Sequence, residues 1–413
     1  MGLQMGLCML LVIVCLIMVQ SLELRRFYAS TSLGFEPLLK AEVSNLVDVE
    51  SIKVGKLGVS FLGTARTGFD SILRLRTALK VFEVCGEAKG ITSPDKLFEF
   101  VGGVCQWEKV ISSEHTIKID TVCSPTADPS LQHSHFSSLT VKSAVCDCLL
   151  AKTSRRPSVD KDSADVNLFL YLHNDLAILY RTWSGPQSLH KRGYRDAIVH
   201  KAALRETTAA GLLMASGWNG TTSLIDPMCG SGTFAIEAAL ISSGAVPGLI
   251  RFADSSDKQL PKGAEFLDLD VSDWAACLKA AKSEDRRATP ALKIYANDIS
   301  KSAIELAKRS ADNAQVGHMI VWSVGDAADF KVATEQTTAV TNPPWDLRLQ
   351  AGDAWKSLGT WSRKNLRSGS SLWVLAGGNP AVVGELGLGS PDKKFSFSSA
   401  NVDCRFLNFK FKE

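Results

Sequence analysis

Ser223-Leu224-Ile225-Asp226-Pro227-Met228-Cys229-Gly230-Ser231-Gly232-Thr233-Phe234 runs on into Ala235-Ile236-Glu237-Ala238-Ala239-Leu240, and from it the fold is read. A short apolar run ending in an acid reads as a buried strand. A tight loop with two glycines follows, then a helix of small residues. That is the strand–Gly loop–helix turn of a doubly wound α/β domain, in which a ligand sits at the carboxyl ends of the strands. Gly230 and Gly232 allow the backbone to come close to it. No Gly-Lys-Ser/Thr follows, which excludes a phosphate loop. Phe234 and Ala235 stand where a dinucleotide fingerprint has its third glycine. A nucleoside ligand with an amine and a carboxylate but no pyrophosphate fits better, and S-adenosylmethionine is one.

The downstream strands extend this reading. Leu292-Lys293-Ile294-Tyr295-Ala296-Asn297-Asp298 ends on an acid ahead of a helix from Ser300 to Ala314, placing Asp298 to bond ribose hydroxyls. Ile320-Val321-Trp322-Ser323-Val324 leads to Asp326, placed to accept from an adenine amino group. The segment between, Gly244 to Asp285, reads as an insertion with a helix around Ala275 to Lys282 and no assigned chemistry. Its acidic Asp268-Leu269-Asp270-Val271-Ser272-Asp273 lacks the glycine and terminal glutamate of a calcium loop and reads as a solvated helix start. The expected cofactor set is Asp226, Cys229, Gly230, Gly232, Thr233, Asp298 and Asp326, with Cys229 read also as a packing residue.

Thr338-Ala339-Val340-Thr341-Asn342-Pro343-Pro344-Trp345 is the fourth strand and its loop. Two prolines stiffen the turn and hold Asn342 extended. The lone pair of an exocyclic base amine is delocalised into the ring. Acceptors on its hydrogens, the Asn342 side-chain oxygen and the Pro343 carbonyl, favour a pyramidal nitrogen, while Trp345 stacks on the base. Asn342, Pro343, Pro344 and Trp345 are therefore the candidate catalytic set, acting by orientation and electrostatics. The loop has no cysteine for attack on a pyrimidine ring, and no lysine-centred set for ribose methylation is found. Amine methylation remains.

The chain has 413 residues, 45% hydrophobic and 22% charged, with a net charge of +3: ordinary globular composition, long enough for two or three domains. Ten cysteines are scattered without zinc-knuckle spacing or a disulfide framework, which reads as free thiols in a reducing compartment, and no metal site is expected. Met1 to Leu22 carries no charge, and Leu7 to Val19 is shorter than the ~20 residues of a spanning helix. No basic residue precedes it. A degraded organelle leader or a mis-assigned start is preferred to an export signal. Residues 1–24 are set aside, and an organelle (chloroplast or mitochondrion) or the cytoplasm is expected.

Before the cofactor loop, strands, helices and hairpins alternate as a small α+β unit. Arg26 to Thr31 reads as a strand, Phe35 to Val43 as a helix, Ile52-Lys53-Val54 with Val59 to Leu62 as a hairpin, Ser71 to Thr77 as a helix and Lys80 to Val84 as a strand. Further along, Leu97 to Val104 and Leu139 to Leu150 read as helices. His115 to Val122 is a strand, and Asp165 to Leu172 pairs with Leu176 to Arg181 across Asn174-Asp175. A basic stretch follows, His190-Lys191-Arg192-Gly193-Tyr194-Arg195 with His200, Lys201 and Arg205 beyond. Its cations and aromatic make His190, Lys191, Arg192, Tyr194 and Arg195 candidates for RNA binding. Ala202 to Ser216 reads as a helix closed by Gly217.

From about Phe27 to the end, the chain resembles the THUMP-domain RNA guanine-N2 methyltransferases, above all the bacterial 23S ribosomal RNA enzymes. The Gly loop, the Asn-Pro-Pro-aromatic loop and Leu189-His190-Lys191-Arg192-Gly193-Tyr194-Arg195 carry the likeness, together with Ala29-Ser30-Thr31, Gly34-Phe35-Glu36 and Val402-Asp403-Cys404. The resemblance implies a ferredoxin-like/THUMP RNA-binding module ahead of a Rossmann-like class I methyltransferase domain. The divisions are 25–71, 72–183 and 184–413. It implies S-adenosylmethionine at Asp226, Gly230, Gly232, Asp298 and Asp326, the target amine at Asn342 to Trp345, and RNA as partner; a monomer is the default expectation. Trp345 replaces the usual tyrosine and lacks its hydroxyl, and the loop from Asp346 to Trp355 is less glycine-rich than in many members. With one methyltransferase domain, one modification is expected. The rivals are the same chemistry on transfer RNA, a DNA adenine-N6 methyltransferase, and a non-catalytic RNA-binding assembly factor.

Overall fold

The computed structural model describes residues 23–195, 203–287, 292–332, 337–345, 351–377, 381–399 and 402–412. The apolar leader, His200, Lys201, Ala202 and the start of the Asp346 to Trp355 loop lie outside them.

The N-terminal half is one eight-stranded sheet: β1 (Arg25–Ser30), β2 (Glu50–Gly55), β3 (Gly58–Gly63), β4 (Lys80–Ala88), β5 (Thr116–Cys123), β6 (Ser158–Val159), β7 (Val166–His173) and β8 (Leu176–Thr182), in the order β2-β3-β1-β4-β8-β7-β5-β6. Helices α1 (Glu36–Val43), α2 (Ala65–Arg74), α3 (Pro94–Gly103) and α4 (Ser134–Thr153) supply its core partners. Alternation decides which side they cover. Phe27, Ala29, Val81, Leu168, Leu170 and Leu179 enter the core, and their neighbours in sequence face away. The expected hairpins form, and Asn174 takes a positive φ of 51° in the turn between β7 and β8.

Two expectations here need correction. The helix read at Ser71 to Thr77 begins at Ala65, where Thr64 and Thr67 cap it reciprocally, and stops at Arg74. Glu42 captures the backbone N–H groups of Arg76 (2.7 Å) and Thr77 (3.0 Å), pulling that segment out of the helix. A boundary between residues 71 and 72 would therefore cut α2. The sheet also continues across it, through the pairing of β1 with β4.

The C-terminal half holds a seven-stranded sheet: β9 (Leu224–Asp226), β10 (Ile294–Asp298), β11 (Ile320–Val324), β12 (Thr338–Thr341), β13 (Ser371–Ala376), β14 (Lys393–Ser399) and β15 (Val402–Lys410), in the order β11-β10-β9-β12-β13-β15-β14. β9 to β13 run parallel and β15 is antiparallel to both its neighbours. Apolar residues on consecutive positions are explained by helices on both faces. Leu224, Val340, Trp373 and Leu375 pack on one side with α5 (Glu206–Ala215), α6 (Thr233–Ser242) and α8 (Lys301–Asn313). Ile225, Ala339, Leu372 and Val374 pack on the other with α9 (Ala351–Asn365). α7 (Val271–Glu284) lies elsewhere.

The insertion from Gly244 to Asp285 is seated in the N-terminal core. Trp274 is fully buried with its ring centroid 5.6 Å from that of Phe69, and Cys277 donates to the Arg66 carbonyl. Asp268, expected in solvent, accepts from Arg181 (2.6 and 2.9 Å) and Arg25 (3.1 Å), beside the buried Arg181–Glu83 pair. These contacts hold its carboxyl below the usual range against the opposing effect of burial. In return, Phe35 at the start of α1 packs on Phe395 and Phe397 of β14. Each half thus places a piece in the other's core.

Candidate active site

β9 lies between β10 and β12, so the connections after it leave in opposite directions and open a crevice at the strand ends. A cavity of about 950 Å³ occupies this place. Asp226, Cys229, Gly230, Thr233, Asp298, Asn342, Pro343, Pro344 and Trp345 all line it, so nine sequence candidates from three separated segments meet on one space.

Their geometry is tightly tied. Asp298 accepts from the Gly230 N–H at 2.8 Å and from the Ser300 N–H at 2.9 Å, joining the loop after β9 to the start of α8. Gly230 has φ of 53°, and a Cβ built there would meet nothing within 4 Å, so its cavity side is open to a ligand. Asp226 is buried and accepts from the Thr341 hydroxyl (2.7 Å) and the Met228 N–H (3.2 Å), linking β9 to β12. Burial lifts its carboxyl to about 7 despite these bonds, and the charge of Asp298 adds to the rise. Burial likewise pushes the Cys229 thiol well up, leaving it an inert packing group in the wall.

Asn342 is the most informative residue. Its side-chain oxygen is buried with no hydrogen-bond partner among the described residues, in a residue that lines the cavity. An orphaned acceptor at this position fits a donor supplied by a ligand. Trp345 is half-buried, and its Nε1 donates to the Leu375 carbonyl at 3.0 Å. Its ring is seated so closely on Gly377 that a Cβ there would fall 2.6 Å from it. The indole N–H thus fixes the ring on β13. The Pro344 carbonyl accepts from the Trp355 Nε1 at 3.0 Å.

Other candidates stand apart from the cavity. Gly232, with φ of 78°, is the N-cap of α6 and is pressed against Ala307 and Trp322. Asp326 is exposed at the end of β11, where it accepts from the Ala328 N–H at 2.8 Å. Neither is among the described residues lining the cavity.

The basic stretch is corrected more strongly. Arg192 is buried and bonded to Glu237 and to the carbonyls of Leu189 and Arg76. Tyr194 is fully buried and donates to Glu237 at 3.1 Å. Arg195 pairs with Glu206 at 3.4 Å and donates to the Leu204 carbonyl and to Thr233. Burial, reinforced by Arg205 and its other cationic neighbours, lowers His190 to about 4, leaving the ring neutral near pH 7. Lys191 is exposed. The run is thus mainly a strut from the N-terminal sheet to the cofactor helix, because Glu237 on α6 needs buried cations.

Sequence reading also missed contributors. Ala203 and Leu204 line the cavity because the helix expected from Ala202 starts only at Glu206, its N-cap Arg205 being extended. Ser302, Leu306 and Arg309 line it from one face of α8, and their spacing of four and three residues was the available signal. Asn297 donates to the Pro227 (3.1 Å) and Gly325 (3.0 Å) carbonyls, fastening the loops after β9 and β11 to β10. Nothing in its sequence context separates it from an ordinary strand residue.

A glycine loop and two strand-end acids facing an Asn-Pro-Pro-aromatic loop, on a sheet of this order, define an S-adenosylmethionine-dependent methyltransferase of class I. The open side of Gly230, the orphaned Asn342 oxygen and the cavity volume fit that cofactor with an acceptor base beside it. The chain belongs to the RMKL-like methyltransferase family. The model of that family's methyltransferase domain matches residues 192–405, a THUMP domain matches 92–181, and an RlmL ferredoxin-like domain matches 26–82. A Synechocystis sp. protein named as an RNA methyltransferase is 29% identical, covering 94% of this chain and 97% of its own. The ribosomal RNA large subunit methyltransferase K/L of Syntrophotalea carbinolica is 32% identical over 94% of this chain, which spans 54% of that relative. The crystal structure of a possible methylase from Clostridium difficile 630 superposes with a TM-score of 0.80 at 27% identity, covering 95% and 99% of the two chains.

Proposed function

We propose that the protein transfers a methyl group from S-adenosylmethionine to the exocyclic N2 amine of a guanine in large-subunit ribosomal RNA. The observation that carries this reading is the buried oxygen of Asn342 in the cavity wall, which has no hydrogen-bond partner among the described residues and stands just before two prolines. The cofactor, when bound, supplies an electrophilic methyl group. Asp298 holds its nucleoside, and Asp226, once ionised, offers a negative charge to its ammonium. Asn342 accepts from the amine hydrogens together with the Pro343 carbonyl, turning the nitrogen lone pair away from the base ring. Trp345 offers a fixed ring for the base to stack on. The THUMP match and the ribosomal RNA relatives support RNA as the substrate class.

The test is tritiated methyl transfer to separate pools of ribosomal RNA, transfer RNA and DNA, with nucleoside analysis. N2-methylguanosine in large-subunit RNA is expected. The same nucleoside in transfer RNA would overturn the substrate, and N6-methyladenosine would overturn the amine. Asn342→Ala should keep cofactor affinity and lose most transfer. Equal loss of both would remove Asn342 from the role given to it.

A further inference from the structure

Among the described residues, no helix covers one face of the eight-stranded sheet, and its side chains are unusual for a solvated surface. Cross-strand register puts Tyr28 opposite Phe82, Val84 opposite Tyr180, and Tyr180 opposite Phe169. Two and four residues past Phe169 on β7 stand Tyr171 and His173 on the same face. Four of the rings adjoin one another, and Tyr171 and His173 form a second, stacked pair. Tyr28–Phe82 centroids are 6.4 Å apart, Phe82–Phe169 4.9 Å, Phe82–Tyr180 5.5 Å and Tyr171–His173 6.3 Å.

None of these six residues belongs to a hydrophobic core cluster, and all except Phe82 keep partial exposure. Arg26, Lys53, Lys80, whose ammonium also donates to the Pro186 carbonyl, and Lys118 share the face with three acids: Glu50, Glu87, paired with Arg26, and Asp120, which lies opposite Phe169 and within 3.7 Å of Lys118. Cations around an aromatic stripe match a phosphate backbone with its bases turned inward. A protein interface also favours tyrosine and phenylalanine but is depleted in lysine, and three of the four cations on this face are lysines.

We propose that this face is a stacking platform for unpaired bases of the RNA substrate, with Tyr171, His173 and Tyr180 as its accessible rings. The proposal rests on the RNA reading above and adds a location for it. The stripe crosses from the β1–β4 strands to the β7–β8 hairpin, so both N-terminal modules contribute. The basic stretch at 190–195, spent on internal bonds, does not supply this surface.

Fluorescence anisotropy with a labelled short single-stranded RNA and its duplex form tests the proposal. Tyr171→Leu keeps apolar bulk and removes the ring, and should weaken single-strand binding roughly five- to hundredfold, with little change for duplex. Tyr171→Phe should bind like wild type. Phe136→Ala, an exposed ring on α4, should also leave binding unchanged. Unchanged affinity in Tyr171→Leu, or equal loss for both RNA forms, overturns the platform. Self-association of wild type that disappears in Tyr171→Leu would assign the face to a second copy and overturn it as well. Photo-crosslinking of wild type to thiouridine-containing RNA gives a readout independent of mutant folding. Adducts on Tyr171, His173 or Tyr180 are expected, and adducts confined to other regions refute the assignment. Methyl transfer measured on the same samples separates the two readings. Active enzyme with an indifferent face sinks the platform alone, and no transfer to any RNA sinks the function.

Discussion

Asp226→Asn isolates one titration inside the site. Burial raises the Asp226 carboxyl from 3.8 to about 7. A carboxyl whose folded value lies above its unfolded value contributes fully below the unfolded value, and its contribution is lost as pH rises through the folded one. The shift of about three units, at 1.36 kcal/mol each, amounts to on the order of 4 kcal/mol, lost between about pH 4 and pH 7. Asparagine retains an acceptor for Thr341 and Met228 but cannot ionise. Without cofactor, the stability of the variant relative to wild type should therefore climb by up to about 1.4 kcal/mol per pH unit across that window, then level off above about pH 7. Urea unfolding of both proteins at several pH values measures the difference, in which titrations common to both cancel. S-adenosylhomocysteine gives a second reading. Its ammonium favours the carboxylate, so wild-type affinity should rise through about pH 7 while that of the variant stays flat. A stability difference independent of pH would show that the two hydrogen bonds keep Asp226 ionised throughout, and would refute the burial argument.

Glu237→Gln should destabilise by about 3–5 kcal/mol in the same unfolding assay, because Arg192 would remain buried without its counter-charge. A change under about 1 kcal/mol would show the strut to be dispensable. Gly232→Ala should lower cofactor affinity by calorimetry and cost about 1–2 kcal/mol, since φ is 78° and the new Cβ would lie 2.9 Å from Ala307. Trp274→Ala should cost about 3–5 kcal/mol in unfolding, with loss of the N-terminal core as well as the insertion. Melting of the insertion alone, seen by hydrogen exchange, would contradict its place in that core.

The parallel sheet was legible because each strand end carried chemistry as well as apolar pattern: Asp226, Asp298 and Asn342 each close a strand and meet at the cavity. What failed to show was mostly long-range partnership. His190 to Arg195 has the composition of a surface patch, and the buried Glu237, more than forty positions on from Arg192 and Tyr194, turns it inward together with Glu206, which pairs with Arg195. Asp268 likewise looked solvated until Arg25 and Arg181 arrived from strands far earlier in the chain. Local helix limits failed for a related reason. Leu75 continues an apolar spacing that Glu42 overrules by binding Arg76 and Thr77. Asn297 and Thr341 gave no signal, since their value lies in loops joined only after folding.

The exchange of pieces between the halves has a consequence for substrate choice. With Trp274 packed into one core and Phe35 into the other, any swivel between the sheet and the cavity has to break both packings. On the function and platform proposed above, the molecule is a caliper whose jaws are pinned by this packing, and an RNA has to bring its docking strand and its target base to the separation so set. On that reading, selection among chemically identical guanines becomes a matter of the RNA's own tertiary shape, and the stage at which that shape exists sets the interval in which the modification is made.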